Sequence, residues 1–262
     1  MRTYKLTITY DGSKYQGWQR QINTDLTIQG ILERNIGMYV GYNVEINGSG
    51  RTDAGVHAQG QVSSLVLRGQ VDMHEFMTTI NRHLPEDIKI AKMELMKNGF
   101  HARYNAQGKR YEYYLDTREK PDVFTRRYSF HYPHELNVEA MEKAAAYLIG
   151  THEFDSFTDM KPGEKSTRRT IDEIRIEREA NKIRIVYKGN GFLYHMVRKL
   201  TGTLLEVGIG EKDPEEIPEI LAAKDSSRSG FLAPARGLFL REVYYKYAKP
   251  EPVKEEIDWL DA

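Results

Sequence analysis

Two hydrophobic periodicities alternate along this 262-residue chain, and the order in which they alternate recurs. Period-2 alternation marks half-buried strands, whereas apolar residues at i, i+3 and i+4 mark one face of a helix. Arg2 to Tyr10 alternates, with Tyr4, Leu6, Ile8 and Tyr10 on one side, and runs into the turn pair Asp11-Gly12. Thr27 stands where a helix cap is needed, ahead of Ile28, Ile31, Leu32, Ile36 and Tyr39, and Gly41 closes that helix. Val44 to Asn47 and Gln61 to Leu67 read as strands, His74 to Leu84 as a helix stopped by Pro85, and Ile88 to Met96 as a strand. The first third is therefore βαββαβ.

The order returns after a connector near residues 97–107. Lys109 to Asp116 reads as a strand and Val138 to Leu148 as a helix. Ile171 to Glu177 and Lys182 to Tyr187 form a hairpin across Ala180-Asn181. Leu193 to Val207 reads as a long helix, Pro214 to Ala223 as a short one capped by Asp213, and Leu238 to Tyr245 as the closing strand. Two split βαββαβ (ferredoxin-like) halves predict an α+β fold: a largely antiparallel sheet with helices on one face and a central cleft, which the uncovered face is free to form. The expected division is 1–104, 105–249 and a polar acidic tail at 250–262.

Composition narrows the chemistry. With no cysteine there is no disulfide, thiolate metal site or thiol nucleophile, which suits a cytoplasmic protein. No run approaches the roughly 18 apolar residues of a membrane span, and Met1 to Lys5 leads straight into strand pattern with no signal core. Lys+Arg and Asp+Glu balance at 38 each, but the tail from Glu251 to Ala262 holds five acids and one base, so the body is net +4. That balance decides nothing about partners by itself.

The densest feature is Gly48-Ser49-Gly50-Arg51-Thr52-Asp53-Ala54-Gly55-Val56-His57-Ala58. Small residues and glycines surround one carboxylate, Asp53, as if to expose it to a bulky partner, the glycines keeping the wall thin. The Gly-x4-Gly spacing is that of a phosphate loop, but Val56-His57 stands where Lys-Ser/Thr is required, so that reading fails. Gly189-Asn190-Gly191 lacks the third glycine of a dinucleotide fingerprint. The histidines, His57, His101, His131 and His134 among them, show no ligand spacing, so no metal is expected and these four read as surface or supporting residues. Lys165, Arg168 and Arg169, and Arg126-Arg127 beside Tyr128, are either solvated loops or, with Tyr15, Trp18 and Arg20, a groove that follows phosphates and stacks bases.

The glycine-rich stretch resembles the motif carrying the nucleophile in the tRNA pseudouridine synthase A family. Three further stretches fall in that family's order: Phe100 to Tyr104 followed by Lys109-Arg110-Tyr111-Glu112-Tyr113, Gly191 to Arg198, and Ala233 to Leu240. The resemblance implies isomerisation of uridine to pseudouridine in the anticodon stem-loop of tRNA, without a cofactor, by a cytoplasmic homodimer. It implies Asp53 as nucleophile, Arg198 as the cation that keeps it ionised, and Tyr111 as the side chain that stacks on or positions the target ring. Arg51 is left between displacing the base, touching a phosphate and a structural ion pair. Two departures, Phe231-Leu232 and Arg236, fall where the family has smaller residues and commonly a His, which bears on how the target docks. A non-catalytic RNA-binding module is the competing reading, and a hydrolase resting on the glycine spacing alone is the third.

Overall fold

The computed structural model describes residues 1–161, 163 and 165–246; the tail reading at 250–262 lies outside them. Among the described residues ten strands form one sheet. In chain order they are β1 (Arg2–Tyr10), β2 (Ile46–Gly48), β3 (His57–Leu67), β4 (Ile88–Met96), β5 (Ala106–Asp116), β6 (Phe130–His131), β7 (Gly150–Glu153), β8 (Arg168–Glu179), β9 (Lys182–Gly189) and β10 (Leu238–Tyr245). Five α-helices accompany them: α1 (Ile28–Val40), α2 (Met73–His83), α3 (Val138–Leu148), α4 (Met196–Gly208) and α5 (Ile217–Ala223).

The local signals act as their chemistry requires. Thr27 accepts from the Gly30 amide to cap α1, and Gly41 ends it in the left-handed region at φ 76°. Asp213 and Glu216 form a reciprocal capping box around Pro214. Tyr4, Leu6 and Ile8 are fully buried, each worth about 1.5–3 kcal/mol in transfer terms. Leu193 to His195, read as helix from their apolar spacing, instead form the turn that precedes α4.

The sheet runs β4-β1-β3-β10-β5-β9-β8-β7, with β2 on β3 and β6 on β5. Most neighbours are antiparallel, but the last strand among the described residues, β10, inserts at the centre and runs parallel to β3. That junction has only two registered pairs, Phe239 with His57 and Leu240 with Ala58. Both pairs lie at the N-terminal ends of the two strands, so the sheet is joined where β3 and β10 begin.

The cleft does not occupy the uncovered face, as the sequence suggests, but opens among the helices. Tyr111 of β5 is opposite Leu240 on one side and Tyr187 on the other, so the three share a face. The Tyr187 hydroxyl is 2.8 Å from Thr201 Oγ1 of α4, which identifies that face as a helical one. Gln29 of α1 and Arg198 of α4 flank the opening. The physical reason is the other face's composition: Glu112, Arg184, Arg241 and Glu177 make an ion-pair lattice there that suits open water.

Candidate active site

The cleft has a volume of about 920 Å³ and is lined from both halves of the chain. Lysines and arginines outnumber carboxylates in its lining by eight to three, a local excess hidden by the balanced total. A low-dielectric wall carrying one sign of charge concentrates polyanions.

Asp53 sits in the turn before β3, with about a fifth of its side chain exposed. The turn hangs from residues 15–18: Trp18 N donates to Thr52 O at 3.0 Å and Gly55 N to Tyr15 O at 3.3 Å. Val56 N closes it onto Asp53 O at 3.1 Å, and Thr52 Oγ1 meets the Tyr10 hydroxyl at 2.8 Å. Tyr15 and Trp18 are buried and Arg20 pairs with Glu33 at 2.9 Å, so this segment is scaffold and not the stacking groove read from its composition.

The glycines also serve the protein. Of Gly48, Gly50 and Gly55, only Gly55 has a positive φ, 77°. A Cβ on Gly48 would lie 2.5 Å from Trp18 Nε1, and one on Gly50 would collide with Lys109 Nζ. Their missing side chains admit Trp18 and Lys109, which corrects the reading of a wall thinned for RNA.

Arg198, in the first turn of α4, directs Nη1 to Asp53 Oδ2 at 3.2 Å. Its Nε donates to Ala233 O at 2.7 Å, while Ala233 N returns a bond to Arg198 O at 3.3 Å. The Ala233-Pro234 motif therefore fixes the guanidinium, and Pro234 O is itself held by the Tyr113 hydroxyl at 2.7 Å. Tyr111 is nearly buried, edge-on to Phe192 at 5.3 Å, and lines the cleft. Burial, then the neighbouring Tyr10 and Asp53, push its phenol well above the usual range, so it is a neutral hydroxyl at physiological pH. Arg51 is exposed in the cleft, with Nε donating to Gln19 Oε1 at 3.2 Å; among the described residues it makes no ion pair.

Three residues of the site escaped the sequence reading. His195 faces Asp53 Oδ2 with Nε2 at 3.7 Å and Asp159 with Nδ1 at 2.6 Å. Lys199 Nζ takes the other Asp159 oxygen at 3.2 Å. Against the upward push of partial burial, hydrogen bonds from His195 and Lys199 hold the Asp159 carboxyl below its usual range. His195 does this from the left-handed region, φ 60°, a cost paid where function tends to need it. The one signal in the sequence was spacing: His195, Arg198 and Lys199 lie three and four apart and so share a side of the helix entry.

Beneath the loop, Lys109 Nζ donates to Ser49 O at 3.0 Å. Burial first, then Arg103 and Arg169, lower its pKa to about 8. Lys165, Arg168 and Arg169 line the cleft, but Arg126 and Arg127 line a different cavity. Phe231 stacks with Tyr132 at 6.2 Å, and neither Phe231 nor Arg236 lines the cleft. Among the described residues no group of three or more His, Asp or Glu is placed to hold a metal ion.

The family profile described as tRNA pseudouridine synthase matches residues 6–105 and 144–246. The chain is 43% identical over 245 residues to tRNA pseudouridine synthase A of Acetivibrio thermocellus, covering 94% of this chain and all of that one. It is 44% identical over the same span to the protein of that name from Bacillus sp. strain KSM-64, and 43% identical to tRNA pseudouridine synthase A 2 of Bacillus cereus strain ZK / E33L, each again covered in full.

Proposed function

The chain belongs to the tRNA pseudouridine synthase family, isomerases acting on tRNA, and from that premise we propose that it converts uridine to pseudouridine in the anticodon stem-loop, with Asp53 as nucleophile and no cofactor. The observation that carries this reading is the Asp53–Arg198 pair at the bottom of a basic cleft, with Tyr111 in the same lining. The reaction breaks the N1–C1′ bond, turns the uracil, joins C5 to C1′ and moves the C5 proton away as N1 regains one. A carboxylate bonded to the sugar or to the ring retains the substrate between those two bond changes.

Arg198 pairs with Asp53 and aims it, and Tyr111 supplies a flat edge against which a flipped base is held. Arg51, exposed in the cleft and free of ion pairs among the described residues, either helps displace the target base or contacts a backbone phosphate. A homodimer in the cytoplasm is the assembly and compartment this reading carries with it. No helix among the described residues is long and apolar enough to cross a membrane.

Incubating the protein with a tRNA transcript and mapping pseudouridine by carbodiimide treatment tests the reading. New pseudouridine is expected in the anticodon arm, and Asp53→Asn is expected to bind tRNA but make none. Conversion at the normal rate by that variant would leave Asp53 without its role.

A further inference from the structure

A second cavity, of about 510 Å³, is lined by Ser13, Gly55, Pro121, His131 and three arginines, Arg126, Arg127 and Arg236. Among the described residues no carboxylate lines it. The nearby acids are engaged elsewhere: Asp116 and Asp122 hold Arg118 at 2.8 and 3.1 Å, and Asp11 takes Ser13 Oγ and the Tyr128 hydroxyl. Among the described residues none of the three arginines is in an ion pair. The Arg126 side chain donates to the Val123 carbonyl, and Arg236 lies over the Phe130 ring, 5.8 Å from its centre. Three guanidiniums facing one cavity without counter-charge repel one another, and an anion there relieves that repulsion.

The cavity is built on fixed backbone. Residues 117–129 fold over Asp116, whose carboxylate accepts from the amides of Arg118 and Asp122 at 3.2 and 3.0 Å. Arg126 N to Asp122 O at 2.9 Å and Tyr128 N to Thr125 O at 2.8 Å close the loop's own turns. The buried ring of His57 receives the Gly12 amide on Nδ1 at 3.1 Å, which leaves Nε2 to donate to the carbonyls of Arg127 and Arg236 at 3.1 and 3.2 Å. With the backbone that carries the three arginines already fixed, an anion has only their side chains to order.

The same loop exposes Phe124 and Val123, 86% and 61% accessible, beside the arginines. Cations for phosphates next to a bare aromatic ring are the pairing that suits RNA backbone and unstacked bases. Gly55 lines this cavity and Asp53 lines the cleft, so the two sites lie on either side of one turn. We propose that the Arg126–Arg127–Arg236 cavity is a second RNA-backbone site, which holds the substrate tRNA by phosphates outside the cleft. The proposal rests on the tRNA reading above.

Two variants test it: Arg126→Gln/Arg127→Gln, which removes two cations, and Pro121→Glu, which keeps all three arginines but places a carboxylate among them. Binding of a tRNA transcript is measured by filter retention across a salt series. Each variant is expected to bind about tenfold more weakly at low salt, and the double variant to flatten the log–log salt slope by roughly 1.5 to 2. Unchanged affinity and slope in both variants would overturn the site. So would unchanged affinity with lower turnover at saturating tRNA, since the arginines would then serve the Asp53 turn, or a loss of self-association alone, which would make this a protein contact. Turnover by the wild-type protein is scored separately. A wild type that binds tRNA and converts no uridine sinks the functional reading, and the binding comparison still decides the second site.

Discussion

Nε2 of His195 stands 3.7 Å from Oδ2 of Asp53, the same oxygen that Arg198 meets at 3.2 Å. Two basic groups from the entry of one helix thus converge on one carboxylate oxygen. The imidazole is set by Asp159 on its far side, and Asp159 by Lys199, so a chain of four charged or ionisable groups runs from the helix to Asp53.

His195→Asn tests whether that chain serves turnover. Asparagine tolerates the left-handed backbone at this position, so the fold is expected to survive. The hydrogen bond that sets the ring, His195 to Asp159 at 2.6 Å, involves a charged group and is worth about 1.5–3 kcal/mol, so losing the imidazole is expected to lower kcat roughly 10- to 100-fold with KM for tRNA little changed. Asp159→Asn is expected to move kcat in the same direction by a smaller factor. A drop in thermal stability with kcat intact would reduce both residues to packing.

Tyr111→Phe separates the ring from the hydroxyl. The edge contact with Phe192 survives the change, so tRNA binding is expected to hold. A phenol kept neutral by burial takes a proton from C5 only as it passes its own on, and positioned proton transfer contributes about 10²–10⁴ in rate. Single-turnover assays should show a loss in that range. A variant as fast as wild type would leave Tyr111 as a stacking surface alone.

Lys109 gives the site a pH dependence. Its pKa of about 8 lies below the ordinary lysine value near 10.4, so the folded protein sheds this proton first. From pH 8 to about 10.4 the unfolded chain holds more protons than the folded one, and this group adds stability as pH rises through that window; below 8 its contribution is flat. Binding of a polyanion runs the other way, because phosphates favour the charged lysine. Affinity for tRNA should therefore weaken as pH rises through 8, and Lys109→Met should remove that step from a titration by fluorescence anisotropy. A step of equal size in the variant would assign it to another group.

How much of this was legible follows from which forces are local. The capped helix at Thr27, the hairpin across Ala180-Asn181 and the final strand at Leu238 to Tyr245 are encoded by neighbours within a few residues, and they fold as read. The start of α4 was missed because Leu193, Met196, Val197 and Leu200 keep helical spacing straight through a turn. The strand Gly150–Glu153 carries no apolar alternation, being a sheet-edge strand with polar side chains. Asp53 and Tyr111 could be singled out by type and motif, but Asp159 and His195 stand 36 positions apart, so no local pattern shows that these two meet.

Gly17→Ala probes the support of the Asp53 turn from a residue that never touches the cleft. Gly17 has φ +90°, and a Cβ there would lie 2.7 Å from the carbonyl of Thr52. Strain of this kind costs about 1–3 kcal/mol, and the clash is with backbone, which has no rotamer to escape into. Among the described residues the turn is tied to residues 15–18 by the amide bonds of Trp18 and Gly55, so the displacement passes directly to Asp53. Urea denaturation should show a lower midpoint with unchanged slope, and kcat should fall further than stability alone explains, because Asp53 moves relative to Arg198. Full activity in a destabilised variant would show that the turn absorbs the shift before it reaches the carboxylate.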